Sequence, residues 1–427
     1  MRVLIWSRFG DASFLAWRAH LDGHEVEFFP GKADGVLSEI DGIEIVQGRG
    51  NLNRAVANSD IVIFDMVGLG SIGSRLMEFG KPVITGGEIG DELELNRLKA
   101  MKLFEKLGIA PKYRGFRSYR DAAQFVTRNG GRWVFKPLGN KATTHTYVAM
   151  LPDSSDLVRF VSRWAEKEDG PCVLQEFVDG VEVSTEGWFD GEKFVPPFNH
   201  TIERKRFMEG DKGPNTGAMG NIVWFCSEED PIVRKVLLPL ADLLRGKYCG
   251  PIDVNCIVNS SGIYGLEFTC RFGYPALQAL LEMVGGDFVE HLKLFSVRAL
   301  KKFRVRNASF GGAVRMSLPP WPVTQVGVKE LKGVVPVVVP KEGWKHFHPA
   351  DVSDIKDNGE VVMAGVDGVV GESSARGSTV REVARRVYRQ INSWRATMDL
   401  QYRGDIFNGI VDKLEELNSL GVEVPNA

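Results

Sequence analysis

Cysteine is scarce. The 427 residues hold five, Cys172, Cys226, Cys249, Cys256 and Cys270, and none forms a C-x-x-C pair. That argues against a disulfide framework and against a zinc site of the usual spacing; the thiols read as incidental in a reducing cytoplasm. Charge of one sign is lacking too. Lys and Arg number 53 and Asp and Glu 55, a net charge of -2. Nothing in that balance favours nucleic acid or a membrane surface as partner. No apolar run is long enough to span a bilayer, and the opening M-R-V-L-I-W lacks the apolar stretch of a signal peptide, so a cytoplasmic protein is expected. Internal repeats and low-complexity segments are absent. The first strand candidate runs into Ser7-Arg8-Phe9-Gly10-Asp11, which is not G-x-G-x-x-G, and no dinucleotide site is read there.

What is present is the composition of a soluble globular protein, 44% hydrophobic and 25% charged, long enough for two to four units. Short apolar runs at Val3–Trp6, Glu25–Phe29, Asp60–Asp65 and Pro82–Ile84 alternate with a helical pattern over Phe14, Leu15, Trp17 and Leu21. Strands alternating with helices imply a parallel sheet, whose ligands sit at the carboxyl ends of the strands. Residues 91–109 read as one amphipathic helix, with Leu95, Leu98, Met101 and Leu103 at helical spacing, Gly108 at the end and Arg97 among its cations.

Four later stretches carry the chemistry. Trp133–Pro137 is a strand candidate containing Lys136, followed by a small polar loop with Gly139, Lys141, Thr143, Thr144 and His145. Val173–Ser184 is an apolar strand (Leu174, Gln175, Glu176) running through Phe177-Val178 and a tight Asp179-Gly180 turn into a second strand bearing Glu182. Residues 203–220 place Arg204, Lys205 and Arg206 beside Gly210-Asp211-Lys212-Gly213-Pro214-Asn215-Thr216-Gly217. Such a loop can turn several backbone N–H groups toward an anion, with cations alongside. Finally, 251–273 reads as a hairpin. Asp253 and Asn255 share one face of their strand, and Glu267 and Thr269 share one face of theirs. Hard oxygen donors on paired strands suit magnesium bound to nucleotide phosphates.

The string G-D-K-G-P-N-T-G-A-M-G at 210–220 closely resembles the G-D-x-G-P-N-T-G-G-M-G signature of the glycinamide ribonucleotide synthetase family, within the ATP-grasp carboxylate–amine ligases. The strand–hinge–strand at 174–184 fits the same family, 264–273 resembles its E-F-N-x-R-F-G-D-P-E, and Tyr402-Arg403-Gly404-Asp405-Ile406 its closing Y-R-x-D-I. The resemblance implies an ATP-grasp fold of mixed α/β and α+β character. Its parts would be an N-terminal parallel α/β domain (1–90), a linking helix (91–110), a small lid subdomain (111–180), the main ATP-grasp subdomain (181–300) and a C-terminal α+β domain (301–427).

By resemblance, ATP and Mg²⁺ are the cofactors. Arg97, Lys136 and Lys141 would face the phosphates, and Gln175, Glu176, Phe177 and Val178 the adenine. Glu182 would bind the ribose. Glu267, Asp253 and Thr269 would hold the metal, and Arg271, with Lys205, Asp211 and Asn215, the reacting groups. A small carboxylate, an amino acid, and an amine would be the substrates of a monomer or small homo-oligomer. Departures are local. Thr269 replaces the metal-binding Asn, and Tyr274 and Ala276 replace an Asp and a Glu. Asp11, Ala12 and Ser13 stand where the family has Arg, Glu and His, at the end that helps bind phosphoribosylamine. An altered amine acceptor is therefore expected. Genuine glycinamide ribonucleotide synthesis, and nucleotide binding without turnover, remain the alternatives. His346 and His348 leave a metal pair and packing both open; the family has a lone histidine there without a metal, which favours packing.

Overall fold

The structure is a computed structural model, and it describes residues 1–7, 10–30, 51–138, 146–322 and 328–425. The first strands are β1 (Arg2–Ser7), β2 (Glu25–Pro30), β3 (Ile61–Phe64) and β4 (Val83–Ile84), with helices α1 (Ser13–Leu21), α2 (Leu52–Asn58) and α3 (Gly70–Glu78) between and after them. All strand pairs are parallel, in the order β2-β1-β3-β4. Helices cover both faces, which is why the strands are apolar without alternation. Leu4, Val62 and Val83 pack on one side, Val3, Ile5, Ile61 and Ile63 on the other. Ser7 and Asp65 stand at the carboxyl ends of β1 and β3, where a parallel sheet presents its ligand site.

The single helix expected at 91–109 is two: α4 (Gly87–Leu95) and α5 (Arg97–Leu107). Asn96 breaks them. Its φ/ψ of −104°/83° is not helical, and its side chain accepts from the Lys99 N–H, as a helix cap does. Gly108, at φ 67°, closes α5 in the left-handed region. The break puts Arg97 at the start of α5. That helix packs on β13 (Gly262–Thr269) by stacking Phe104 on Phe268, with centroids 4.6 Å apart. Gly265 makes the approach possible, since a Cβ there would lie 2.8 Å from the Phe104 ring. Gly265→Ala is expected to cost about 1–3 kcal/mol, read as a lower melting temperature.

The small sheet has the order β5-β8-β6-β7, from β5 (Tyr113–Phe116), β6 (Trp133–Pro137), β7 (Tyr147–Val148) and β8 (Cys172–Glu176). Helices α6 (Tyr119–Asn129) and α7 (Ser155–Lys167) cover one face, where Phe135 and Leu174 meet Val126 and Val161. Period two then sends Val134, Lys136 and Gln175 to the opposite face.

Among the described residues the large sheet has nine strands, one of them the short Gln401–Tyr402 beside Phe310–Ser317. Its first part runs β13-β12-β9-β10-β11, from β9 (Val181–Phe189), β10 (Phe194–Arg206), β11 (Asn215–Cys226), β12 (Gly250–Asn259) and β13. It continues through β14 (Phe310–Ser317) into the strands Val369–Gly377 and Phe347–Pro349. Gly220 and Val314 are register partners, so the sheet crosses the boundary expected near residue 300 without a break. Residues 177–180 carry the chain from the small sheet to the large one, so 173–184 is a crossing between two sheets and not a plain hairpin. In the C-terminal part a helix runs over Val380–Ser393, capped by Thr379. Among the described residues, no helix is long and apolar enough to cross a membrane.

Candidate active site

A cleft of about 340 Å³ opens between the two sheets. Its floor is one face of the large sheet. Glu182, Ser184 and Glu186 come from β9, Thr201, Glu203 and Lys205 from β10, Asp253 and Asn255 from β12, and Glu267 and Thr269 from β13. Each set has spacing two, so these polar side chains share one face. The small sheet supplies Lys136 and Gln175, the crossing supplies Glu176, Phe177 and Val178, and Arg97, Asn215 and Arg271 complete the wall. Lys141 lies outside the described residues.

The centre is an ion network. Lys205 Nζ is 2.7 Å from Glu182 Oε1, 3.8 Å from Glu203 and 4.0 Å from Glu267. Asn255 Nδ2 donates to the same Glu182 oxygen at 2.9 Å. Lys136 is buried, with Nζ donating to the Leu266 carbonyl at 3.0 Å. Burial pushes its ammonium down to about 8, with Glu267 opposing and Arg97 and Lys205 adding to the fall. Burial would raise Glu267, but Lys136, Lys205, Arg97 and Arg271 together hold its carboxyl at about 2. Four cations thus act on one carboxylate; Lys205 is also paired with Glu182 and Arg271 with Glu94, so Lys136 and Arg97 are the ones most open to an anionic ligand.

Several buried polar atoms facing this cleft have no partner: Arg97 Nη1, Gln175 Oε1, Asn215 Oδ1 and Asn255 Oδ1. Gln175 Nε2 is taken by Met101 Sδ at 2.9 Å, which leaves its carbonyl oxygen as the free acceptor beside the crossing. Phe177 is fixed by the Arg132 guanidinium, 3.5 Å from its ring centroid. A flat base with an amine edge, a sugar and phosphates would find an acceptor, a carboxylate and cations in that order along the cleft. Magnesium takes one or two carboxylates with waters and substrate phosphates. Glu267 faces Asn255 across the β12–β13 pair, and Asp253 faces Thr269. The half-buried Glu267 carboxylate and the free Asn255 oxygen fit such an ion. Asp253 is more deeply set, and burial, with Glu186 and Glu203, pushes its carboxyl well up.

Asp211 does not line the cleft. It is held at 2.6 Å by Arg403 and at 3.3 Å by Arg204. Arg403 is buried and also bonds both Asp405 oxygens at 2.7 Å and the Arg206 carbonyl at 2.7 Å. The Gly210 N–H donates to Asp405, and Gly404 N–H to Glu209. The two sequence strings at 210–220 and 402–406 are thus halves of one clamp that fixes the loop leading to Asn215. Arg403→Lys would keep the charge but lose the planar fork, and is expected to cost about 2 kcal/mol. Faster proteolytic cutting at 207–214 would report it.

Sequence reasoning left out Ser184, Glu186 and Glu203, although alternation along β9 and β10 signals them. It also left out Glu94. That residue grips Arg271 at 2.9 Å through Nε and accepts from the Cys270 N–H at 2.7 Å, fixing the guanidinium's direction. His346 and His348 are bonded to Glu282 at 2.6 Å and Ser374 at 2.7 Å.

Residues 98–277, which hold nearly all of this cleft, match the family model described as phosphoribosylglycinamide synthetase, ATP-grasp (A) domain. The chain has the ATP-grasp fold. It is 26% identical over 421 residues to a phosphoribosylamine–glycine ligase of Leifsonia xyli, covering 92% of this chain and 95% of that one. The counterpart from Listeria monocytogenes is 32% identical over 201 residues, 44% of this chain and 47% of its own. Among solved structures, phosphoribosylamine–glycine ligase from Thermotoga maritima superposes with a TM-score of 0.70 at 21% identity, over 95% of this chain and all of that one. The biotin carboxylase domain of Hydrogenobacter thermophilus 2-oxoglutarate carboxylase, a complex with MgADP, superposes at 0.62 with 10% identity, over 99% of each chain. The ATP-grasp chain described here is thus similar to carbon–nitrogen ligases along nearly its whole length.

Proposed function

We propose that this ATP-grasp protein is a cytoplasmic carboxylate–amine ligase that joins a small amino acid, glycine or a near relative, to an amine other than phosphoribosylamine. The observation that carries the reading is the convergence of Lys136, Lys205, Arg97 and Arg271 on Glu267, beside a free acceptor at Gln175. Gln175 and the 176–178 backbone would hold the base and Glu182 the ribose. Arg97 and Lys136 would neutralise the phosphates. Arg271, aimed by Glu94, would hold the acyl carboxylate in line with the transferring phosphorus. A carboxylate oxygen attacks that phosphorus and ADP leaves. The amine nitrogen then attacks the acyl carbon, the bond to phosphate breaks, and the amine proton passes to base or solvent. Magnesium, when bound at Glu267, adds charge neutralisation on the phosphates.

The test supplies ATP, magnesium and glycine with hydroxylamine as a small acceptor that converts an acyl phosphate to a hydroxamate. Glycine-dependent hydroxamate and ADP in equal amounts are expected. Nucleotide binding without either product would favour a protein that has lost turnover. A second reading, phosphoribosylamine as the true acceptor, is favoured by the Leifsonia xyli relative, which aligns with 92% of this chain at 26% identity. Freshly made phosphoribosylamine decides it, because efficient glycinamide ribonucleotide formation would replace the altered-acceptor reading. Thr269 gives a separate check. As a weaker neutral ligand than asparagine, it should respond to Thr269→Asn with equal or higher turnover and a lower magnesium requirement. An inactive but folded variant would mean the ion is held by Glu267 and Asp253 without residue 269.

A further inference from the structure

Beyond Arg271 the cleft continues past Gly273, Tyr274 and Ala276. Tyr274 is the junction, since its hydroxyl lies 3.5 Å from Asp65 at the end of β3. Asp65 is fully buried. One of its oxygens accepts from Ser7 Oγ at 2.6 Å and from the Ala12 N–H at 3.1 Å, and the other has no partner. Gln278 is also buried, with Nε2 3.2 Å from Glu372 and its oxygen unpartnered. The unsatisfied Asp65 oxygen beside the Tyr274 junction is costly unless a donor arrives.

The charges point the same way. Asp11 is exposed and lies within electrostatic reach of Asp65, Asp367 and Glu372. The cations acting on Asp11 are Arg271 and Arg315, and each already faces a carboxylate, Glu94 at 2.9 Å and Glu372 at 2.8 Å. Asp11, Asp65 and Asp367 are left without a cation of their own among the described residues. Burial, then the neighbouring Asp11, pushes Asp65 up to about 7, and burial with Asp351 does the same to Asp367. A phosphate here would meet acceptors and carboxylates; an ammonium would meet what it needs.

We infer that this end of the cleft is the acceptor pocket, and that it takes an amine carrying a second positive charge and no phosphate, recognised by Asp65 and Asp11. The inference rests on the ligase reading above for its chemistry. The probes are 1,4-diaminobutane, butylamine and O-phosphoethanolamine, each with ATP, magnesium and glycine, and amide is measured by mass spectrometry.

The diamine should exceed both others in kcat/KM by about tenfold or more, the worth of one charged hydrogen bond. Asp65→Asn, and separately the exposed Asp11→Asn, should each shrink the diamine-to-butylamine ratio by about as much. That ratio is insensitive to the fraction of folded enzyme. Preference for the phosphorylated amine, or a ratio unchanged in both variants, would overturn the inference while hydroxamate formation left the ligase reading standing. If no hydroxamate forms, the ligase reading falls and calorimetry decides the pocket. Diaminobutane binding that weakens about tenfold in Asp65→Asn upholds it, and absent or unaltered binding refutes it.

Discussion

Lys136→Ala should weaken ATP binding by at least about a hundredfold, or roughly 2.7 kcal/mol. Lys136 is buried at the cleft wall, donates to the Leu266 carbonyl and stands within reach of Glu267. Phosphates entering there lose water and need a fixed cation in exchange. Arg97 and Lys205 remain in the variant, but Lys205 is already committed to Glu182 at 2.7 Å. Alanine should leave the fold intact, because removing Lys136 relieves the desolvation that pushes its ammonium down. Calorimetric titration of ATP with magnesium is the measurement. Unchanged affinity would remove Lys136 from the phosphate site.

Arg271→Ala should lower kcat by about a thousandfold while ATP affinity changes little, the pattern of a group that acts on the reacting carboxylate and not on the nucleotide. Removing the guanidinium also strands Glu94, whose side chain is 15% exposed. The double variant Arg271→Ala with Glu94→Gln separates the two effects. It should regain melting temperature without regaining turnover. Recovery of turnover in the double variant would show that Arg271 serves structure alone.

The parallel sheet was legible because both its faces are covered, so apolar runs at 3–6 and 61–64 had no other use. The floor of the cleft was legible where a strand alternates strictly, as in Asp253–Asn255 and Glu267–Thr269. Other features were hidden for physical reasons. The leucine spacing of 91–109 is continuous, and only the cap at Asn96 reveals that two helices meet there. Strand Val369–Gly377 is almost wholly buried yet rich in small and polar residues, so no apolar pattern announces it. Arg403 clamps Asp211 across 192 positions, and Glu94 grips Arg271 across 177; couplings of that range belong to the folded chain. The acceptor pocket was legible only as a departure at Asp11, Tyr274 and Ala276. Its unsatisfied acceptor at Asp65 belongs to the folded chain.

The central claim is an acyl phosphate made from a carboxylate and ATP at the Lys136–Glu267–Arg271 cleft. Glycine carrying ¹⁸O in both carboxylate oxygens, supplied with ATP, magnesium and hydroxylamine, tests it most directly. If the carboxylate attacks phosphorus and is then displaced at carbon, one ¹⁸O ends in inorganic phosphate, visible as an isotope shift in the ³¹P spectrum. One labelled oxygen per phosphate released is the expected result. Phosphate that forms with unlabelled oxygen, or that takes its new oxygen from ¹⁸O-labelled water instead, would contradict it.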